Sequence, residues 1–171
     1  SSPSTLLRER GTQGVRVREE AWGKHRWHRA DVANKTQIGF RRLFMPTPIV
    51  AGNWKMNTTL SEAVVLAAQL RDPLEAIRGV DKVVCPPFIS LMAVKGMLEG
   101  TSIGVGAQNM HHEEKGAYTG EVSPGMLASL CQYVILGHSE RRQHFGETDE
   151  TVNRKVKAAL GVSLRPILCV G

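Results

Sequence analysis

The stretch Val134-Ile135-Leu136-Gly137-His138-Ser139-Glu140-Arg141-Arg142 decides how this chain is to be read. Its short apolar run is that of a buried strand, and Gly137 breaks it. A histidine then stands where strand gives way to helix, with Ser139 available as a cap and charges following at once. Such a junction sets an imidazole beside a helix N-terminus, where the positive dipole end disfavours imidazolium. A neutral histidine can donate a hydrogen bond to a substrate oxygen, so the junction predicts chemistry as well as fold.

Outward from this junction the strand–helix alternation repeats. Residues 48–53 are an apolar run closing on small and polar residues, and Thr59 or Ser61 opens a helix to about Ala76. Residues 82–85 form a second strand stopped by Pro86-Pro87, with a helix through Leu91, Val94 and Leu98. Residues 102–107 form a third strand that runs into a long polar loop. A short helix at 123–131, a strand at 133–136, a helix at 149–160 and a strand at 166–170 complete the series. With Val50, Val84, Val105, Val134 and Leu168 as markers, the strands recur at spacings of 34, 21, 29 and 34 residues.

Apolar strands alternating with helices predict a parallel sheet covered by helices. An open doubly wound sheet and a (β/α)8 barrel both fit, and both place ligands at the carboxyl ends of the strands. The polar residues Asn53, Lys55, Gln108, Asn109 and His138 all fall at such ends. Gly52-Asn53-Trp54-Lys55 lacks the G-x-G-x-x-G turn of a dinucleotide fold, and no Walker loop is present, so the barrel is preferred. A barrel takes about 250 residues. Residues 45–171 supply 127 and five strands, so the expected architecture is α/β, a truncated partial barrel.

Composition separates the chain into two parts. Residues 1–44 carry ten Lys and Arg against four Asp and Glu, a surplus equal to the net charge of +6, while residues 45–171 carry twelve of each. The basic character belongs to a leader and gives the body no nucleic-acid face. The leader, with Trp22 and Trp27 but no periodicity, reads as poorly ordered sequence upstream of a start at Met45. Its acidic residues argue against a transit peptide, and binding of RNA by this arm is the less favoured alternative. Cys85, Cys131 and Cys169 sit in or beside apolar runs without ligand spacing, as reduced core residues of a cytoplasmic protein do. No apolar run is long enough to span a membrane. The adjacent His111 and His112 do not make a metal site by themselves.

Asn53 and Lys55, two residues apart at a strand end, offer an amide and an ammonium suited to phosphate or oxyanion charge. Glu140 is placed to pair with Lys55 or to serve as a first-turn salt-bridge residue.

Taken together, six segments closely resemble the triosephosphate isomerase family. They are Gly52-Asn53-Trp54-Lys55-Met56-Asn57, Cys85-Pro86-Pro87, Gly106-Ala107-Gln108-Asn109, Gly116-Ala117-Tyr118-Thr119-Gly120-Glu121, the stretch 133–142, and Pro166-Ile167-Leu168-Cys169-Val170-Gly171. The resemblance covers about residues 46–171 and excludes the leader. It implies a TIM barrel, a homodimer, and cytoplasmic interconversion of triose phosphates in glycolysis and gluconeogenesis, without cofactor or metal. It implies that Asn53 and Lys55 bind substrate, that His138 is the neutral electrophile, and that Glu140 positions Lys55. A neutral histidine at a helix N-terminus is a known property of this family and no new deduction. Thr119, Glu121 and Arg141 are implied at the dimer contact, with Glu121 and Arg141 as its ionic pair. The family's catalytic glutamate follows strand six and its phosphate loops follow strands seven and eight. Glu147 and Glu150, after strand four, cannot replace that base, so the chain as written is expected to be inactive alone. A different phosphosugar enzyme, or a non-catalytic half-barrel module, are the competing readings.

Overall fold

The computed structural model describes residues 47–170, so the leader at residues 1–44 lies outside the described residues. Five strands form one all-parallel sheet in chain order: β1 (Ile49–Asn53), β2 (Asp81–Cys85), β3 (Ile103–Ala107), β4 (Tyr133–Leu136) and β5 (Arg165–Leu168). The sheet curls into half a barrel, as the sequence leads one to expect. Between the strands lie α1 (Leu60–Glu75), α2 (Leu91–Met97), α3 (Pro124–Ala128), α4 (Ser139–Phe145) and α5 (Asp149–Gly161).

Helix α1 starts where local chemistry dictates. The hydroxyl of Thr59 accepts the Glu62 N–H, and the Glu62 carboxylate accepts the Thr59 N–H at 2.7 Å. This reciprocal cap satisfies two amides that the first turn leaves without partners. Thr148 and Thr151 open α5 in the same way. Ala63 and Ala67 on α1, and Val152 and Ala159 on α5, face the sheet and are buried.

The inner strands β2, β3 and β4 carry apolar residues on successive positions because both of their faces are covered. Val84, Val105, Val134 and Leu136 pack outward against the helices. Val83, Cys85, Tyr133 and Ile135 form a second cluster on the concave face, with Ile167 and Cys169 against it. Gly106 permits that inner packing. A Cβ there would stand 2.7 Å from Cys85 Sγ and 3.3 Å from Tyr133 Cβ. The edges are less protected: Ile49 and Val50 on β1 are 49% and 64% exposed, and Leu168 on β5 is 47% exposed.

Two elements are shorter than the sequence predicts. Helix α3 ends at Ala128 rather than continuing to 131. The N–H groups of Leu130 and Cys131 both turn back to Leu127 O, and Gln132 N–H has already joined Val105 O at 2.9 Å. The sheet captures the chain before another helical turn can form. Strand β5 closes at Leu168, although Cys169 N–H still reaches Leu136 O at 2.9 Å.

Candidate active site

Strand β4 delivers His138 through a bend that requires glycine. Gly137 has φ +71°, and a Cβ there would press on Val152 and Arg142. Its carbonyl is held by Arg142 Nε at 2.9 Å, and Arg142 Nη1 pairs with Asp149 at 2.8 Å. The bend is thus fixed from α4 and α5 together.

The cap expected of Ser139 is made instead by His138. Ser139 is the first helical residue, and His138, with ψ 140°, is the N-cap. Its Nδ1 accepts the Glu140 N–H at 3.3 Å. An amide can only donate, so Nδ1 presents its lone pair and Nε2 carries the proton of a neutral ring. Glu140 Oε2 lies 3.6 Å from the same nitrogen, which is too far for a hydrogen bond.

Lys55 reaches this corner from β1. The strand ends at Asn53, and the chain then turns so that Lys55 adopts φ +54°. A left-handed conformation costs a residue with a Cβ about 1–2 kcal/mol. Asn53 Oδ1 accepts the Lys55 N–H at 3.0 Å, which leaves the Asn53 amide nitrogen for the cleft. The two side chains therefore do not simply run parallel from a strand, as their spacing suggests. Lys55 Nζ donates to Glu140 Oε1 at 2.5 Å. That hydrogen bond, more than any other influence, holds the Glu140 carboxyl below its ordinary range.

Asn53, Lys55, Gln108, His138 and Glu140 line one cleft of about 210 Å³ at the carboxyl end of the sheet. A cation, a neutral imidazole N–H and amide groups converge there. The arrangement suits an anionic substrate on which negative charge develops at oxygen. Thr119 and Glu121 are exposed in the loop after β3 and do not line this cleft. Arg141 does line it, with its guanidinium 4.6 Å from the centre of the Phe145 ring and its Nε donating to Glu147 at 2.6 Å. His111 and His112 stack at 4.5 Å, and no group of three metal-ligating side chains occurs among the described residues.

Beneath the cleft lies a charged cluster that sequence reasoning missed. Glu147 accepts from both Arg141 and Lys155, and Lys155 also donates to Asn109 Oδ1 at 2.8 Å. Glu147 and Lys155 side chains are only 6% and 7% exposed. Burial pushes the Glu147 carboxyl upward, but the bonds and charges of Arg141 and Lys155 outweigh it and leave the group below its usual value. The available signal was Lys155 itself, a cation between Val152 and Ala159 on the buried stripe of α5.

A curled parallel sheet with polar side chains gathered at its strand carboxyl ends defines an α/β protein of the (β/α)8-barrel class. Comparison with known proteins narrows this class. The family profile described as Triosephosphate isomerase matches residues 48–171. The triosephosphate isomerase of Dehalococcoides mccartyi is 63% identical over 123 residues, 72% of this chain and 49% of the relative. That of Clostridium perfringens is 59% identical over 128 residues, 74% of this chain and 51% of the relative. That of Carboxydothermus hydrogenoformans is 57% identical over 128 residues, with the same coverage. The chain belongs to the triosephosphate isomerase family. It spans about half the length of the curated relatives it matches.

Proposed function

We propose that this chain carries the electrophilic half of a triose-phosphate isomerase site, interconverting dihydroxyacetone phosphate and glyceraldehyde 3-phosphate in cytoplasmic glycolysis and gluconeogenesis. The observation that carries the reading is the His138–Glu140–Lys55 constellation: a neutral imidazole and an ammonium facing one cleft. Removing a proton from the carbon beside the substrate carbonyl leaves an enediolate, whose negative charge sits on oxygen. His138 Nε2–H hydrogen-bonds that oxygen, and Lys55 supplies positive charge to the enediolate and the phosphate. Asn53 binds substrate beside it, and Glu140 orients the ammonium. The hydroxyl proton then moves from one enediolate oxygen to the other, and returning the carbon proton to the neighbouring carbon completes the isomerisation.

The proton-transferring base belongs outside residues 47–170. Glu147 is locked between Arg141 and Lys155, and Glu140 is engaged by Lys55, which supports this assignment. The 171-residue polypeptide alone therefore has little or no isomerase activity. Thr119, Glu121 and Arg141 form a homodimer contact, and the exposure of Thr119 and Glu121 supports that role.

The test is turnover by the full-length gene product beside that of the 171-residue chain. Active full-length protein with an inactive short chain supports the proposal. Wild-type turnover that survives His138→Gln unchanged overturns the electrophile.

A further inference from the structure

Gln108 has no part in the chemistry above, yet it holds two backbone segments at once. Its amide nitrogen donates to Lys55 O at 2.9 Å and to Cys85 O at 2.9 Å. Carbonyl oxygens can only accept, so the amide must present its NH2 group to this pair. Cys85 O also takes the Trp54 N–H at 3.1 Å. The loop after β1 is therefore tied to the end of β2 directly through Trp54 and again through a two-bond bridge made by Gln108, the residue after β3.

These ties flank the strained residue. Lys55 sits at φ +54°, a conformation that persists only where the surroundings enforce it. Its N–H is held by Asn53 and its carbonyl by Gln108, so side chains fasten both sides of its α-carbon. Without the second tie, the loop can relax toward ordinary φ and carry the Lys55 side chain away from Glu140.

We propose that Gln108 is a positioning residue, a clamp that keeps the Lys55 backbone left-handed so that its ammonium meets Glu140 and faces the cleft. Its consequence for turnover rests on the isomerase reading, whereas the clamp itself can be measured without it.

The experiment is reductive methylation of the full-length gene product, followed residue by residue by mass spectrometry, for wild type and Gln108→Met. Met keeps the length of the side chain and deletes both donors. Pairing with Glu140 protects Lys55, so the variant should methylate severalfold faster at this position. Lys82, buried at the other end of the sheet and bonded to Ile77 O and Ser102, is the control for general loosening. Unchanged labelling at Lys55 overturns the clamp. If Lys82 labels faster too, Gln108→Asn, which retains the amide on a shorter arm, is read by the same two lysines, and a gain confined to Lys55 is required. In turnover, kcat/KM of Gln108→Met should fall by about 10–100-fold, mainly through KM. The same substitution added to Lys55→Met should cost nothing further; an equal loss in both backgrounds means that Gln108 does not act through Lys55. A wild-type protein without isomerase activity would refute the isomerase reading and leave the labelling result intact.

Discussion

Lys55 and Glu140 lie 85 residues apart in sequence, and their side chains meet at 2.5 Å. The pair joins the loop after the first strand to the first turn of the helix after the fourth. It draws the cation to within one residue's reach of His138, and its consequences can be measured.

Acid should dissolve this pair. The Glu140 carboxyl is held below its ordinary value by the hydrogen bond from Lys55. A depressed carboxyl favours the folded arrangement above its unfolded value of about 4.3 and loses that contribution as pH falls through the folded value. Binding of glycerol 3-phosphate to the full-length gene product, after allowance for the ligand's own phosphate titration at about pH 6, should therefore hold steady from neutrality to about pH 5 and weaken below. Glu140→Gln should bind weakly throughout; a variant that keeps wild-type affinity would remove the pair from the site.

Glu147→Gln should be among the more damaging single substitutions. It leaves the charges of Arg141 and Lys155 without their counter-ion, in a place where Lys155 is 7% exposed. Loss of one partner of a buried ion pair costs about 3–5 kcal/mol. Denaturant unfolding of the full-length gene product provides the measurement, and a loss below about 1 kcal/mol would show the cluster to be well hydrated.

Gly106→Ala should destabilise by overpacking, about 1–3 kcal/mol. The added methyl would meet Cys85 Sγ at 2.7 Å. Adding Cys85→Ala should recover part of the loss, because it removes the atom in closest conflict. Thermal melts of the two single variants and the double variant measure this coupling; simple additivity would contradict the contact.

Thiol labelling should order the cysteines. Burial pushes Cys85 up to about 12 and Cys131 to about 11, and Cys85 is fully enclosed. Cys169 is only partly covered. With iodoacetamide at pH 8, Cys169 should react first, and the other two should wait for unfolding. Early modification of Cys85 would mean that the concave cluster opens readily.

Residues 47–170 expressed alone should be prone to association. Val50 and Leu168 are exposed on two unpaired sheet edges. Light scattering and dye binding report this directly, and a monodisperse monomer with a sharp cooperative melt would contradict it.

The fold was legible because both faces of the inner strands are buried, which leaves uninterrupted apolar runs such as 133–136. Their recurrence between helical segments then indicates parallel pairing. The junction at His138 was legible for the same reason, since Gly137 marks where the run must bend. Side-chain partnerships were less so. That His138 rather than Ser139 caps α4 depends on a backbone angle, and that Gln108 spans two strands depends on register. Lys155 and Glu147, eight residues apart, share a buried bond that no pattern of charge along the chain distinguishes from a solvated helix pair.

The strand order β1-β2-β3-β4-β5 repeats the order of the chain itself. Each new strand adds beside the one made just before it, and none must insert between two already paired. During synthesis, Lys55 can be in place when Glu140 leaves the ribosome, so the cation and its anchor can join while later residues are still being added. The same order makes the newest strand the apolar edge at each stage, and among the described residues that strand is β5.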